Sequence, residues 1–242
     1  MEKGLLIVID GLDGTGKQTQ SEILYNTLTQ EGLDVKKISF PVYESPSGQI
    51  IKDYLKGDIS VSSGYDYLYD ENIRLSMLYA NDRMLNMFKK DENGKTLVDY
   101  YNEGYIIICD RYTQSNYLYM TKDMDDLQFE SYIHLMEWLE YEIMRLPRPD
   151  LTIFLKMTPE KSLSLIEKRG EEKDNHETKE ILSQAYTALE QYERQCYMNK
   201  REDVVIIDCL YDDDNGDTQI KSIEDISKLI FDSIQTLQEL RL

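Results

Sequence analysis

The sequence predicts an α/β fold, a mainly parallel sheet wrapped by helices, and two patterns predict it. Short, near-continuous apolar or β-branched runs recur at 5–9, 35–40, 105–109, 151–155 and 204–207, the form of strands covered on both faces. Between them run segments of helical pattern at 17–31, about 71–90, about 126–145, 159–168 and 177–199, with a last one at about 223–240. Single strands alternating with helices pair in parallel through crossover connections. Pro and Gly number 5 and 12, too few to mark a flexible junction, and no internal repeat is visible. One domain spanning residues 1–242 is expected. The segment 91–95 reads as a surface turn, and the acidic run 212–214 as a solvated loop.

Charge narrows the partners. Lys plus Arg is 27 against 46 for Asp plus Glu, a net charge of −19. Such a surface repels nucleic-acid phosphates and anionic membranes, so neither is expected as a partner. The first apolar run ends at Asp10, too short for a signal peptide or a membrane span. Cys109, Cys196 and Cys209 form no CxxC or metal-like spacing and read as small buried hydrophobes in a reducing compartment. A soluble cytoplasmic protein is expected.

The first strand leads into the strongest local signal. Gly11-Leu12-Asp13-Gly14-Thr15-Gly16-Lys17 is G-x-x-x-x-G-K between a strand and an amphipathic helix. Backbone N–H groups of such a loop turn inward around a polyphosphate, the helix N-terminus adds its positive end, and Lys17 reaches the β- and γ-phosphates. Gln18 and Thr19 follow where the pattern has Ser or Thr at once after the lysine. Magnesium is then expected on phosphates, waters and a carboxylate, in keeping with its reluctance to dehydrate. That carboxylate is read as Asp110, which ends the run 105–109 as a Walker-B acid does.

Further residues carry a specific resemblance. The loop 10–20, Phe40-Pro41-Val42-Tyr43, Tyr79-Ala80-Asn81-Asp82-Arg83, Asp110-Arg111-Tyr112 with Ser115, Asn116 and Tyr119, and the polar segment 168–177 stand in one order. Together they resemble the thymidylate (dTMP) kinases. The resemblance implies a P-loop NTPase-type fold with a five-stranded parallel sheet in the order 2-3-1-4-5. It implies transfer of the γ-phosphoryl of ATP to dTMP with Mg2+, in a homodimer.

By the same resemblance, residues 11–19 hold ATP and Arg111 the acceptor phosphate. Tyr79, four residues before Arg83 on one helical face, stacks on the base while Arg83 meets a base oxygen. Phe40 and Pro41, joined by a cis bond, wall the base pocket with Tyr43, and Asn116 and Tyr119 face the acceptor. Asp13 approaches the sugar 3′-hydroxyl or the magnesium shell, and His176 lies near the sugar. Some relatives carry an arginine inside the phosphate loop, where this chain has Asp13 and Gly14. A cation for the migrating phosphoryl group is then expected from the lid, Arg169 or Lys173. Val42 stands where many relatives have an arginine beside the acceptor phosphate.

Two other readings remain open at this level. One is another nucleoside or nucleotide kinase of the same fold. The other is a nucleotide-dependent switch, which needs a base-reading motif such as N-K-x-D, and the sequence has none.

Overall fold

The computed structural model describes residues 3–62, 68–122, 124–169 and 178–240. Its elements in chain order are β1 (Leu5–Gly11), α1 (Lys17–Gln30), β2 (Val35–Ser39), α2 (Pro46–Lys56), α3 (Leu68–Met87), α4 (Leu97–Asn102) and β3 (Ile106–Asp110). There follow α5 (Gln114–Tyr119), α6 (Asp126–Glu137), a π-helical turn (Trp138–Ile143), β4 (Leu151–Lys156), α7 (Pro159–Arg169) and α8 (Lys179–Met198). The chain closes with β5 (Val204–Asp208), β6 (Leu210–Asp212), β7 (Thr218–Ile220) and α9 (Ile223–Leu240).

Strands β2-β3-β1-β4-β5 form one sheet in that order, every pair parallel, as expected. Alternate side chains explain the unbroken apolar runs. Ile7, Ile9, Ile108, Ile153 and Leu155 pack on one face with Leu24 of α1 and Ile230 of α9. Val8, Ile107 and Cys109 face the other side, with Met87 and Tyr100. Farther along that sheet, Phe154 packs with Tyr117, Leu189 and Tyr192. The register sets Ile9 and Ser39 beside Asp110, and Gly11 beside Leu155. The C-terminal strand edge thus gathers the phosphate loop, Asp110 and the segment after it, where open parallel sheets bind ligands.

The structure departs from the sequence reading in five places. Helix α2 starts at Ser45, whose Oγ accepts the Gly48 N–H at 3.0 Å, with Pro46 in the first turn. Helix α4 opens on a reciprocal cap between Thr96 and Asp99, and the short α5 follows Thr113. The long helix expected over 126–145 changes to π geometry at Trp138. Asp212 belongs to a β6–β7 hairpin rather than a loop, and Asp213 turns it by accepting the Asn215 and Asp217 N–H groups. No helix among the described residues is long and apolar enough to cross a membrane.

Candidate active site

The phosphate loop is held open by its own backbone. Gly14 has φ +80°, and a Cβ there would lie 2.6 Å from the Ser162 carbonyl oxygen and 2.7 Å from Ile166 on α7. Only glycine fits both that conformation and that approach. Among the described residues the N–H groups of Gly14 and Gly16 donate to no protein acceptor, as a loop built for phosphate oxygens requires. Lys17 Nζ donates to the Leu12 carbonyl at 2.6 Å and lies 3.8 Å from Asp13 Oδ1. Burial, then the positive charge of Arg111, pull Lys17 down to about 8, against the attraction of Asp13. Gln18 and Thr19, in the first turn of α1, are exposed.

Arg111 follows β3 with φ 67°, a left-handed conformation that non-glycine residues rarely adopt and that clusters at functional sites. Its guanidinium donates to Asp13 Oδ1 and lies 5.8 Å above the Tyr119 ring. The Tyr119 hydroxyl donates to Asp13 Oδ2 at 2.9 Å and accepts the Asp13 N–H at 3.0 Å. Burial opposes the charge on Asp13, but Arg111 and Lys17 outweigh it and hold the carboxyl at about 2. Asp10, fully buried, takes the Gly11 N–H at 2.8 Å and the Ser115 hydroxyl at 2.7 Å.

One cleft joins these groups to the predicted acceptor residues. It spans about 650 Å³, open solvent at its mouth included. Asp13, Phe40, Pro41, Tyr43, Tyr79, Arg83, Arg111, Asn116 and Tyr119 all line it, as do Leu55, Ser115 and Met120. The Phe40–Pro41 bond is cis. Arg169 ends α7 and is exposed. Lys173, His176 and the rest of 170–177 lie outside the described residues.

Two buried carboxylates of the site escape sequence reasoning. Asp82 on α3 accepts the Val42 N–H at 2.8 Å, Ser47 Oγ at 2.7 Å, Ser45 Oγ at 3.2 Å and Asn86 Nδ2 at 2.9 Å. It ties the loop after Phe40-Pro41 to the helix that carries Tyr79 and Arg83. Glu140, on the π-helical turn, accepts Arg83 Nε and Nη2, both at 2.6 Å. Burial works against the charge on Arg83, and Glu140 more than restores it.

Metal capacity is narrow. Among the described residues no three His, Cys, Asp or Glu side chains gather as a ready-made metal cage. Both oxygens of Asp13 are engaged, by Arg111 and Tyr119. Among the described residues Asp110 receives only the Ser39 hydroxyl, at 3.2 Å on Oδ2, which leaves its Oδ1 to spare at the strand edge. That donor set suits an ion held mostly by phosphates and water.

Known proteins resemble the chain along most of its length. The family description "Thymidylate kinase" matches residues 9–208. A thymidylate kinase of Dictyostelium discoideum is 27% identical over 77% of this chain and 73% of its own length. One from Plasmodium falciparum is 30% identical over 65% of this chain and 64% of its own. Across the relatives compared, the chain spans between 60% and 78% of their length. A solved thymidylate kinase structure from Candida albicans superposes with a TM-score of 0.66, covering 98% of this chain and 93% of that one. At 24% identity this last likeness speaks for the fold.

Proposed function

This chain belongs to the thymidylate kinase family, phosphotransferases acting on nucleoside monophosphates, and we propose that it transfers the γ-phosphoryl of ATP to dTMP, giving dTDP and ADP. The observation that carries this reading is the single cleft in which phosphate-loop Asp13 and Arg111 meet Tyr79, Arg83 and Asn116.

Transfer needs no covalent enzyme intermediate; it needs two phosphates held in line and their charge offset. Lys17 exchanges the Leu12 carbonyl for the donor phosphates, while residues 11–19 wrap them with backbone N–H groups. Arg111 binds the acceptor phosphate with its planar fork, and Asp13 fixes that fork from behind and meets the sugar 3′-hydroxyl. Tyr79 covers the base, and Arg83 and Asn116 address its polar edge. Phe40, Pro41, Tyr43 and Tyr119 wall the acceptor. The lid, residues 168–177, supplies Arg169 or Lys173 to the migrating group and His176 to the sugar. Mg2+, when bound with ATP, neutralises phosphate charge, and Asp110 is the residue that would hold it or its waters.

A homodimer in the cytoplasm belongs to the same proposal. Met77 and Leu85 on α3 and Phe88 just after it leave an exposed apolar stripe, and the three cysteines are free and buried. Light scattering should give twice the chain mass, and Leu85→Glu should halve it. The activity is tested by a coupled ADP assay with ATP, magnesium and a panel of nucleoside monophosphates. Release of ADP that depends on dTMP supports the reading. Equal release without any acceptor would sink it in favour of a hydrolytic switch.

A further inference from the structure

Arg83 has five N–H bonds, and the described residues accept three of them. Glu140 takes Nε–H and one Nη2–H, each at 2.6 Å, and the Tyr112 carbonyl takes one Nη1–H at 3.4 Å. Two N–H bonds therefore have no acceptor among the described residues, and Arg83 lines the cleft. The ion pair is almost wholly enclosed, Arg83 at 2% exposure and Glu140 at 0%. A charge pair this deep gains little net stability over apolar residues of similar size, so stability alone is a weak reason for its presence.

The neighbours of Glu140 suggest the reason. Its Oε2 also accepts the Thr113 hydroxyl at 3.0 Å, and Thr113 lies two residues after Arg111. One carboxylate thus binds the arginine of α3 and the segment that begins at Arg111. It does so from a π-helical turn, a rare geometry found often at functional sites. The next residue on that turn, Tyr141, receives Gln114 Nε2 at 3.3 Å, so the turn is docked onto the 112–114 segment at two points.

We propose that Glu140 is a positioning residue for acceptor-base selection: it locks the Arg83 fork so that its remaining N–H bonds point at a carbonyl oxygen of the base. The inference rests on Arg83 reading the acceptor base, as proposed above. A guanidinium only donates. Held still, it accepts a base with an exocyclic oxygen at the pyrimidine 4-position and opposes one with an amino group there, which is also a donor. Left mobile, the same arginine turns aside and the discrimination falls. Glu140 also neutralises the charge, so the cleft presents directed donors without a net cation at the base.

Calorimetry of dTMP, dCMP and ATP binding tests this in Glu140→Gln and Glu140→Asp, with Arg83→Met as reference. Glu140→Gln should weaken dTMP by about tenfold, the scale of one lost charge-assisted hydrogen bond. ATP affinity should stay within about twofold, and the preference for dTMP over dCMP should drop. Glu140→Asp keeps the negative charge but is one methylene shorter, so it should fold and still lose the preference. It decides the matter where the Gln variant does not fold. Parent selectivity in Glu140→Asp would overturn the proposal, as would equal loss of dTMP and ATP affinity in either variant. If Arg83→Met loses the preference while both Glu140 variants keep it, only the role of Glu140 fails. If Arg83→Met itself binds dTMP with parent affinity and selectivity, base reading by Arg83 fails and this inference with it.

Discussion

The guanidinium of Arg111 rests on the carboxylate of Asp13, a phosphate-loop residue 98 positions away in sequence. The contact joins the loop expected to hold the donor phosphates to the cation expected to hold the acceptor phosphate. Arg111 is also clamped from the other side, because its backbone φ is 67° and its N–H donates to the Ile9 carbonyl at 3.0 Å. A fork set so firmly is suited to bidentate contact with a phosphate.

Arg111→Ala is therefore expected to lower kcat/KM for dTMP by about a thousandfold or more, the scale of a single well-placed arginine in phosphoryl transfer. Arg111→Lys keeps the charge without the planar fork and should restore only part of the loss. ATP binding, measured separately, should change little in both. A fully active lysine variant would show that charge alone suffices, and an active alanine variant would remove Arg111 from the site.

Lys17→Met is expected to abolish phosphoryl transfer without lowering the melting temperature. Lys17 is held at about 8 by burial and by Arg111, so its charge is carried at a cost that the variant relieves. Steady-state kinetics and thermal unfolding on the same preparation check both halves. Activity within a few-fold of the parent would refute the role of the phosphate loop.

Asp82→Ala should cost about 3 kcal/mol of stability, because four donors that converge on the buried carboxylate lose their acceptor together. Asp82→Asn keeps one acceptor oxygen and should lose less. Both should raise KM for dTMP more than KM for ATP, since Asp82 anchors the wall that starts at Phe40-Pro41. Denaturant titrations and paired KM values test this. A purely global loss of activity would count against it.

The fold was legible where one local pattern decides it, and this explains which parts of the site were readable. The inner strands β3, β1 and β4 are near-continuous apolar runs because both faces of the sheet are covered there. The edge strand β2 carries Lys36 and Lys37 and reads less clearly. The glycines and Lys17 of the phosphate loop are contiguous, so their chemistry is visible as a string. Helix α2 was not visible, because Ser45, Pro46 and Gly48 look like a loop until the Ser45 cap is seen. Glu140 was beyond reach for a different reason. A glutamate inside a helical stretch looks solvated, and its partner Arg83 lies 57 positions earlier. Asp82 was overlooked beside Arg83, since nothing in a linear sequence shows that Val42, Ser45 and Ser47 fold back onto it.

The cysteines give a prediction that depends on pH. Burial pushes the Cys196 thiol up to about 11 and the Cys209 thiol up to about 12, and raises Cys109 further. At pH 8 about one Cys196 thiol in a thousand is then the reactive thiolate. The native protein should react with almost no aromatic disulfide reagent at pH 8 and should expose three thiols in guanidinium. Its labelling rate should rise about tenfold per pH unit toward pH 10. A rapid stoichiometric reaction in the native state would contradict the burial.

The collision waiting at Gly14 bears on how such a protein can change by descent. An arginine inside the phosphate loop is reached from a glycine codon by a single nucleotide change. In this chain that change drives a side chain into Ser162 and Ile166 while forcing an unfavourable backbone conformation. The neighbouring position is committed as well, because Asp13 already carries Arg111. A lineage starting here reaches a loop-borne arginine only after α7 has first been remodelled. The transfer cation proposed for the lid is thus kept out of the loop by the packing of Ser162 and Ile166 of α7 against Gly14.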